Sequence, residues 1–592
     1  MKFKFLFTAA FLASASFSVM AQTHIEGEEY FKADQLANAK ELLLRNMNNA
    51  GTDKAISDYY LGLIAIEEGN ASEANKWFTE GTQNNPENAF NYIGLASLEL
   101  KNGNKQDAEK LIKKAESKTK KSAPLQIAIA RAYYGADPVA YSKEIEKRLE
   151  KARKINMQEA DIYLFEGDRK KDNKDFGGAA GQYEMAANYN SDATEAYVKY
   201  ANLFTQVNPE FAIDMLNKLL GLNPNSALAQ REIANAYYNA GKYAEAAQHY
   251  GNYVQNPNHF KQDEDRFAFL LFYGGDYQKG YDYSTALLKA NPQNFTAQRY
   301  QFMNAAQIKE MRDQLLPMAE ALYAAHKSNK DNKFAPIDYI LIASEFNDAK
   351  RPEDAQAILE EAIQDNPENP EFYKQLAMTF VNANNLSKAA DTYECYLAHS
   401  EKPGYNDYIQ QATFAFYAGV ENKTNDPAKA DKYYAMAQDY ANKAAAILPD
   451  NYKPKKFEGD IAMQKAAEAD VASAAVPAYT EAIAMLEASQ DPSRYNSDAK
   501  VMYNYMGNYY LDQKDVEKAK EYFNKYLQLD PDNEAYRKFV ERTRPGFTSY
   551  RKLPSTFYAG GSFFLHKTAI IRNFASELPT STATSANNIT TH

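Results

Sequence analysis

Residues 57–86 read SDYYLGLIAIEEGNASEANKWFTEGTQNNP. Two one-sided stretches are written there, divided by a polar turn. Apolar residues recur at helical spacing around Gly62 in the first stretch, and Ala74, Phe78 and Gly81 do the same in the second. Both patterns mark amphipathic helices. Glu68-Gly69-Asn70 breaks the chain between them, as a Gly/Asn turn does. Pro86 closes the unit, because proline cannot continue a helix interior. A helix pair this short cannot bury its apolar faces alone, so it needs neighbours of the same kind.

The neighbours are present. The small residue at Gly62 returns at Ala96, Ala130, Gly167, Ala201, Ala234 and Ala268, in steps of 34, 34, 37, 34, 33 and 34 residues. The series resumes at Ala343, Ala377 and Ala412 and closes with Gly459 and Gly507. Phe302 stands where the intervening repeat needs its anchor, so that repeat is degenerate. An alanine follows twelve residues after many anchors, as at Ala74, Ala108, Ala179, Ala246, Ala355, Ala389 and Ala519. Four residues later comes an aromatic at Phe78, Tyr183, Tyr250, Tyr393 and Phe523. Proline ends units at Pro86, Pro224, Pro292, Pro367 and Pro531. Small anchors let paired helices approach closely.

This pattern resembles the tetratricopeptide repeat. The units Gly62, Gly69, Ala74, Phe78, Gly81, Pro86 and Gly507, Tyr510, Ala519, Phe523, Pro531 carry the resemblance most fully. It implies an all-α, right-handed superhelical α-solenoid of about thirteen helix-turn-helix units. The family's early Trp is absent, and Trp77 lies in a second helix. The steps from Ala412 to Gly459 and on to Gly507 are 47 and 48 residues. Lengthened helices are expected there. The expected organisation is a leader at 1–21, a partial repeat at 22–54, a first array at 55–333, a second array at 334–544 and a poorly ordered tail at 545–592.

The leader has a physical signature. Lys2 and Lys4 precede the apolar run Phe5–Leu12, and small residues lead to Val19-Met20-Ala21. That is a secretory signal peptide, too short to span a bilayer as an anchor. The resemblance is thus to an exported bacterial type, soluble in the periplasm or associated with the outer membrane. No integral membrane segment is expected after its removal.

Composition narrows the partners. Sixty-seven Lys and Arg face 78 Asp and Glu, a net charge of −11, which argues against nucleic acid. The single Cys395 excludes an internal disulfide framework and any multi-cysteine metal site. His399, one turn away, is its one suggestive neighbour, and a buried, inert Cys395 is expected. Gly177-Gly178-Ala179-Ala180-Gly181 fits no phosphate-loop spacing and reads as a close helix crossing. Asp172-Asn173-Lys174-Asp175 lacks the alternating oxygen ligands of a calcium loop. No catalytic residue, cofactor or metal is expected, and the chain does not read as an enzyme.

The inner face of the array remains. In the family the resemblance points to, the first helices line the concave side and take peptides there. Carried over by position, Asn202, Arg231, Asn235, Tyr238, Asp265, Phe269, Phe272 and Tyr273 fall on that face. Arg231 and Asn235 share a helical face one turn apart and suit a carboxylate and a peptide backbone. Arg266 and Thr296 stand where the rest of the family's carboxylate clamp would need Asn and Lys. The expected function is a protein–protein interaction scaffold or adaptor; a solute- or glycan-binding envelope protein is the alternative. N-terminal sequencing of the mature protein should begin at Gln22, in the soluble envelope fraction; an intact Met1 in the cytoplasm would contradict export.

Overall fold

The computed structural model describes residues 22–489 and 496–542, and every regular element there is helical. The expected leader and tail lie outside these residues. The chain divides into two compact units between Arg312 and Asp313.

The first unit begins with α1 (His24–Lys32) and α2 (Leu36–Asn46), a complete hairpin where a partial repeat was expected. Hairpins then follow without interruption: α3 (Lys54–Glu67) with α4 (Ala71–Asn84), α5 (Ala89–Lys101) with α6 (Lys105–Lys118), and α7 (Ala123–Ala136) with α8 (Ser142–Ile155). Next come α9 (Ala160–Asp172) with α10 (Phe176–Tyr189), α11 (Thr194–Phe204) with α12 (Pro209–Leu222), and α13 (Ala227–Asn239) with α14 (Tyr243–Tyr253). The unit closes with α15 (Gln262–Tyr273), α16 (Tyr277–Ala290) and α17 (Phe295–Ala305). The degenerate repeat ends in a 3₁₀ turn, Lys309–Gln314, across which the two units divide. The polar run after Ile308 does not continue as an α-helix.

In the second unit, α18 (Leu315–Ser328) packs on α19 (Pro336–Asp348). The pairs α19–α20 (Pro352–Asp365) and α21 (Pro370–Asn382)–α22 (Leu386–His399) have the usual length. The first long step is made by lengthened helices, α23 (Tyr405–Asn422) and α24 (Pro427–Ile447). The second is made differently. A four-residue helix, α26 (Val471–Ala474), stands between α25 (Lys453–Lys465) and α27 (Val476–Glu487). Tyr505 on α28 (Asn496–Asp512) pins it, accepting from Ala475 N at 3.0 Å and donating to Val471 O at 2.8 Å. The unit ends with α29 (Val516–Leu529) and α30 (Glu534–Arg542).

The turns show why glycine recurs in them. Gly69, Gly103, Gly241 and Gly275 have φ between 72° and 80°, a left-handed backbone that side chains disfavour. The anchors work through contact. A Cβ on Gly62 would run into the Phe78 ring, and one on Gly94 would strike the same ring from the next hairpin. Gly167 seats Tyr183, Gly459 seats Tyr479 and Gly507 seats Phe523 in the same way. The glycine run in α10 is not a crossing, however. Gly177 and Gly181 face open space, and the Gly178 amide is the one Asp175 caps. Small residues matter here only on the face turned to the partner helix.

Gly62→Ala should therefore cost about 1–3 kcal/mol, because the Phe78 ring must move out of its seat. The loss should stay near α3–α6, since each hairpin leans mainly on its neighbours. Hydrogen exchange that quickened equally in α13–α16 would contradict this.

Candidate interaction surface

The curvature follows from which helices touch. Successive first helices pack on one another at α1–α3, α3–α5, α5–α7, α7–α9, α11–α13 and α15–α17, while no comparable second-helix pair occurs in the first unit. A row held closer on one edge bends toward it. The inner face of the first unit thus belongs to the first helices, as the family resemblance implied.

Asn202 lies exposed on α11. Arg231 and Asn235 share the inner side of α13. Tyr238 on α13 meets Phe269 on α15 edge-on at 5.9 Å. Phe269 leans on Tyr273 at 4.5 Å and meets Tyr300 at 6.0 Å. Tyr243 closes the bank against Tyr238 and Tyr273, at 5.7 and 5.8 Å. Phe272 is buried behind it, 5.1 Å from Tyr273. The Arg266 guanidinium lies 4.7 Å over the Tyr238 ring, a cation–π contact. Asp265 points elsewhere in the fold and accepts from Asn294 Nδ2 at 2.9 Å. The structure therefore gathers Asn235, Tyr238, Phe269, Phe272 and Tyr273 into one region.

Arg231 is not offered to a ligand as expected. Its Nε donates to Asp263 Oδ2 at 2.8 Å and its Nη1 to Gln35 Oε1 at 3.2 Å. Both members of the Arg231–Asp263 pair are largely buried, at 16% and 7% side-chain exposure. Tyr253 adds a hydrogen bond to the same carboxylate at 2.8 Å. Asn235 differs: its Nδ2 donates to Glu232 at 3.3 Å, but its Oδ1 is buried with no hydrogen-bond partner.

Gln35 reveals what the sequence did not. The hairpin α1–α2 lies against the inner side of helices far along the chain. Gln22 Nε2 donates to Pro257 O at 2.7 Å, Gln35 Nε2 to Glu232 at 2.9 Å and Arg45 Nη1 to His259 O at 3.1 Å. Lys171 and Lys199 pair with Asp34 at 2.7 and 2.8 Å. Lys199 also pairs with Asp168 at 2.7 Å, and Arg131 with Asp168 at 2.9 Å. Burial works to raise the Asp168 carboxyl, yet Arg131 and Lys199 together hold it below its ordinary range. Repeat spacing is silent about such contacts. No local signal in the α1–α2 turn marks them: Asp34 at φ 65° takes a position that other hairpin turns fill with glycine, lysine or asparagine.

Elsewhere, Cys395 is exposed rather than buried. Its thiol is pushed up by partial burial and by Glu394 and Asp391, the reverse of activation. His399 turns to the Cys395 carbonyl at 2.8 Å and stacks on Tyr373. Among the described residues no group of three or more His, Cys, Asp or Glu could hold a metal ion, and no helix is long and apolar enough to cross a membrane.

This is a tandem array of helix hairpins with an inward-facing surface, the architecture of a repeat protein. Three stretches, 202–258, 346–402 and 502–533, match the tetratricopeptide repeat family. The chain carries tetratricopeptide repeats in these stretches. No curated protein matches it. Among solved structures it is similar to the C-terminal part of a tetratricopeptide-repeat protein from Cytophaga hutchinsonii, at 15% identity and TM-score 0.38, over 47% of this chain and 99% of that one. It is similar also to a tetratricopeptide-repeat protein from Parabacteroides merdae, at 15% identity and TM-score 0.31, over 45% and 98%.

Arg231→Ala should strip Asp263 of its cation and cost about 3 kcal/mol, in the range for half a buried pair removed. Asp263→Asn should restore part of that loss in the double variant. Thermal denaturation of the three variants checks both; an unchanged Arg231→Ala protein would mean the pair contributes nothing.

Proposed function

We propose that this protein is an exported, non-catalytic scaffold or adaptor that binds other proteins or peptides on the inner face of its first unit. The observation that carries this reading is the α13–α15 surface. There, half-buried rings stand beside Asn235, whose side-chain oxygen lacks a donor. Because that oxygen is buried, a peptide N–H reaches it only once Asn235 turns outward, and the half-buried rings are the part of this surface open to a partner. Tyr238, Phe269 and Tyr273 add broad, stiff contact area at small entropic cost. Export is supported by Lys2, Lys4 and the apolar run that follows them. It puts the partners in the cell envelope, in the periplasm or at the outer membrane.

A second reading, a solute- or glycan-binding protein, draws on the same rings, because a sugar face stacks on aromatic side chains. Crosslinking under mild conditions in cell envelopes, with the full mature chain as bait, separates the two. One or two reproducible protein partners crosslinked to α11–α15 are expected. No partner, together with a saccharide that raises the melting temperature, would replace the scaffold by the second reading.

A further inference from the structure

The hairpin α1–α2 has two kinds of neighbour. On one side it continues the stack: Ala39, Leu42 and Leu43 are buried in the same core as Leu61 and Ile64. On the other side it meets the inner face of α9, α11 and α13, where several hydrogen bonds and ion pairs cross. Thr194 Oγ1 and Ser226 Oγ donate to the two oxygens of Glu29, at 3.3 and 3.2 Å. Lys171 and Lys199 clasp Asp34. Lys32 approaches Glu195 at 3.8 Å and Asp161 at 4.0 Å. Tyr30, fully buried, is set edge-on at 5.4 Å to Phe260 in the loop before α15. Glu29 and Lys32 of α1, and Asp34 in the turn after it, each find an opposite group on the facing wall.

We propose that the inner face of α9, α11 and α13 is a receptor for an acidic helix, that α1 is its resting occupant, and that a partner helix with the same features enters by displacing the N-terminal hairpin. This rests on the scaffold reading and specifies its partner: a helix with one carboxylate for the Thr194–Ser226 hydroxyls and an aromatic edge beside it, followed by a turn that carries a second carboxylate for Lys171 and Lys199.

Two physical facts make the occupant displaceable. Among the described residues the hairpin α1–α2 has a stacking neighbour on one side only, and an end unit of a repeat array has fewer contacts to lose on opening than an interior one. Its seat is also strained electrostatically. Burial, then Glu195, then Glu26 push the Glu29 carboxyl up to about 7, against the two hydroxyls. Burial raises Glu195 too, with Lys32 opposing. The groups facing this site are Glu26, Glu28 and Lys32 on α1, Asp161 on α9, Glu195 and Lys199 on α11, and Arg231 and Glu232 on α13, with Asp263 behind them. Because the closed-state value of Glu29 lies above its ordinary one, closure takes up a proton. Its contribution is fully present below about pH 4.5 and is lost as pH rises through about 7. The occupant is therefore held least firmly at neutral and mildly alkaline pH.

The test uses the full chain carrying Asp34→Lys. This turn position accepts lysine: Lys174, Lys350 and Lys514 in the equivalent turns have φ of 60–62°, beside 65° for Asp34. The substitution thus sets like charge against Lys171 and Lys199 without straining the turn. The probe is a fluorescent synthetic peptide of residues 22–48. Hydrogen exchange of α1–α2 should quicken by about tenfold or more, the expected consequence of placing like charges together, while α5–α8 stay as in the unsubstituted chain. The peptide should bind the D34K chain about tenfold tighter than the unsubstituted chain, as the same charge reversal implies. A peptide that itself carries D34K should not bind. Independently, Glu29→Gln should make the protection of α1 insensitive to pH between about 5 and 8. Unchanged α1–α2 protection in D34K, an opened hairpin that leaves the peptide unbound, or a wild-type pH profile in E29Q would each overturn the proposal. Any of these leaves the scaffold reading to stand or fall on its envelope crosslinks, which do not involve the peptide.

Discussion

A ring set against a residue with no side chain is the contact on which the array depends. Phe78 fills the space left by Gly62 in its own hairpin and by Gly94 in the next. One side chain thereby ties two units together. Dispersion rewards such fit only at contact distance, so the anchor must stay small wherever the ring stays large. Gly167 with Tyr183, Gly459 with Tyr479 and Gly507 with Phe523 show the same trade along the chain. Where the anchor is alanine, as at Ala96, Ala201 and Ala234, it is fully buried or nearly so. The helix-pair spacing, the curvature and hence the inner face are consequences of this repeated seat.

That dependence explains what could be read from residues alone. The seat recurs at a fixed step, so small anchors and aromatics 16 residues later announce helices, turns and stacking order. The step also registered the irregular region after Ala412, though not its two solutions. Lengthening in α23–α24 and the inserted α26 give nearly the same residue count. Only Tyr505, reaching back to Val471 and Ala475, distinguishes the second. A count of residues also passes through the 3₁₀ turn at Lys309–Gln314 as easily as through an α-helix.

The interaction surface was legible to a lesser degree. Position within the repeat put Tyr238, Phe269, Phe272 and Tyr273 on one face, and their rings do meet there. Position could not say how much of that face is already spent. Arg231 looked like a free fork for a carboxylate, but Asp263 and Gln35 take its donors. Gln35 lies 196 residues away in sequence, and no periodic signal links residues across such a distance. At Asn235, Glu232 satisfies only the amide nitrogen.

The first unit is thus held by two kinds of contact that respond differently to their surroundings. Inside the stack, rings and small residues exclude water, and neither pH nor salt changes what they contribute appreciably. Across the closure, ions and hydroxyls meet beside the buried Tyr30 and Phe260 rings. Even there the groups are unequal. Lys199 bridges Asp34 to Asp168, which Arg131 also grips, so that end of the closure is anchored to α7, α9 and α11 together. Glu29 has hydroxyl donors but its nearest charged influences are carboxylates, so its end is favoured only while it keeps its proton. A closure firm at one end and titratable at the other hinges rather than detaches. The loosening end is the one that faces Ser226 and Thr194, beside the α13 surface where Asn235 still lacks a donor.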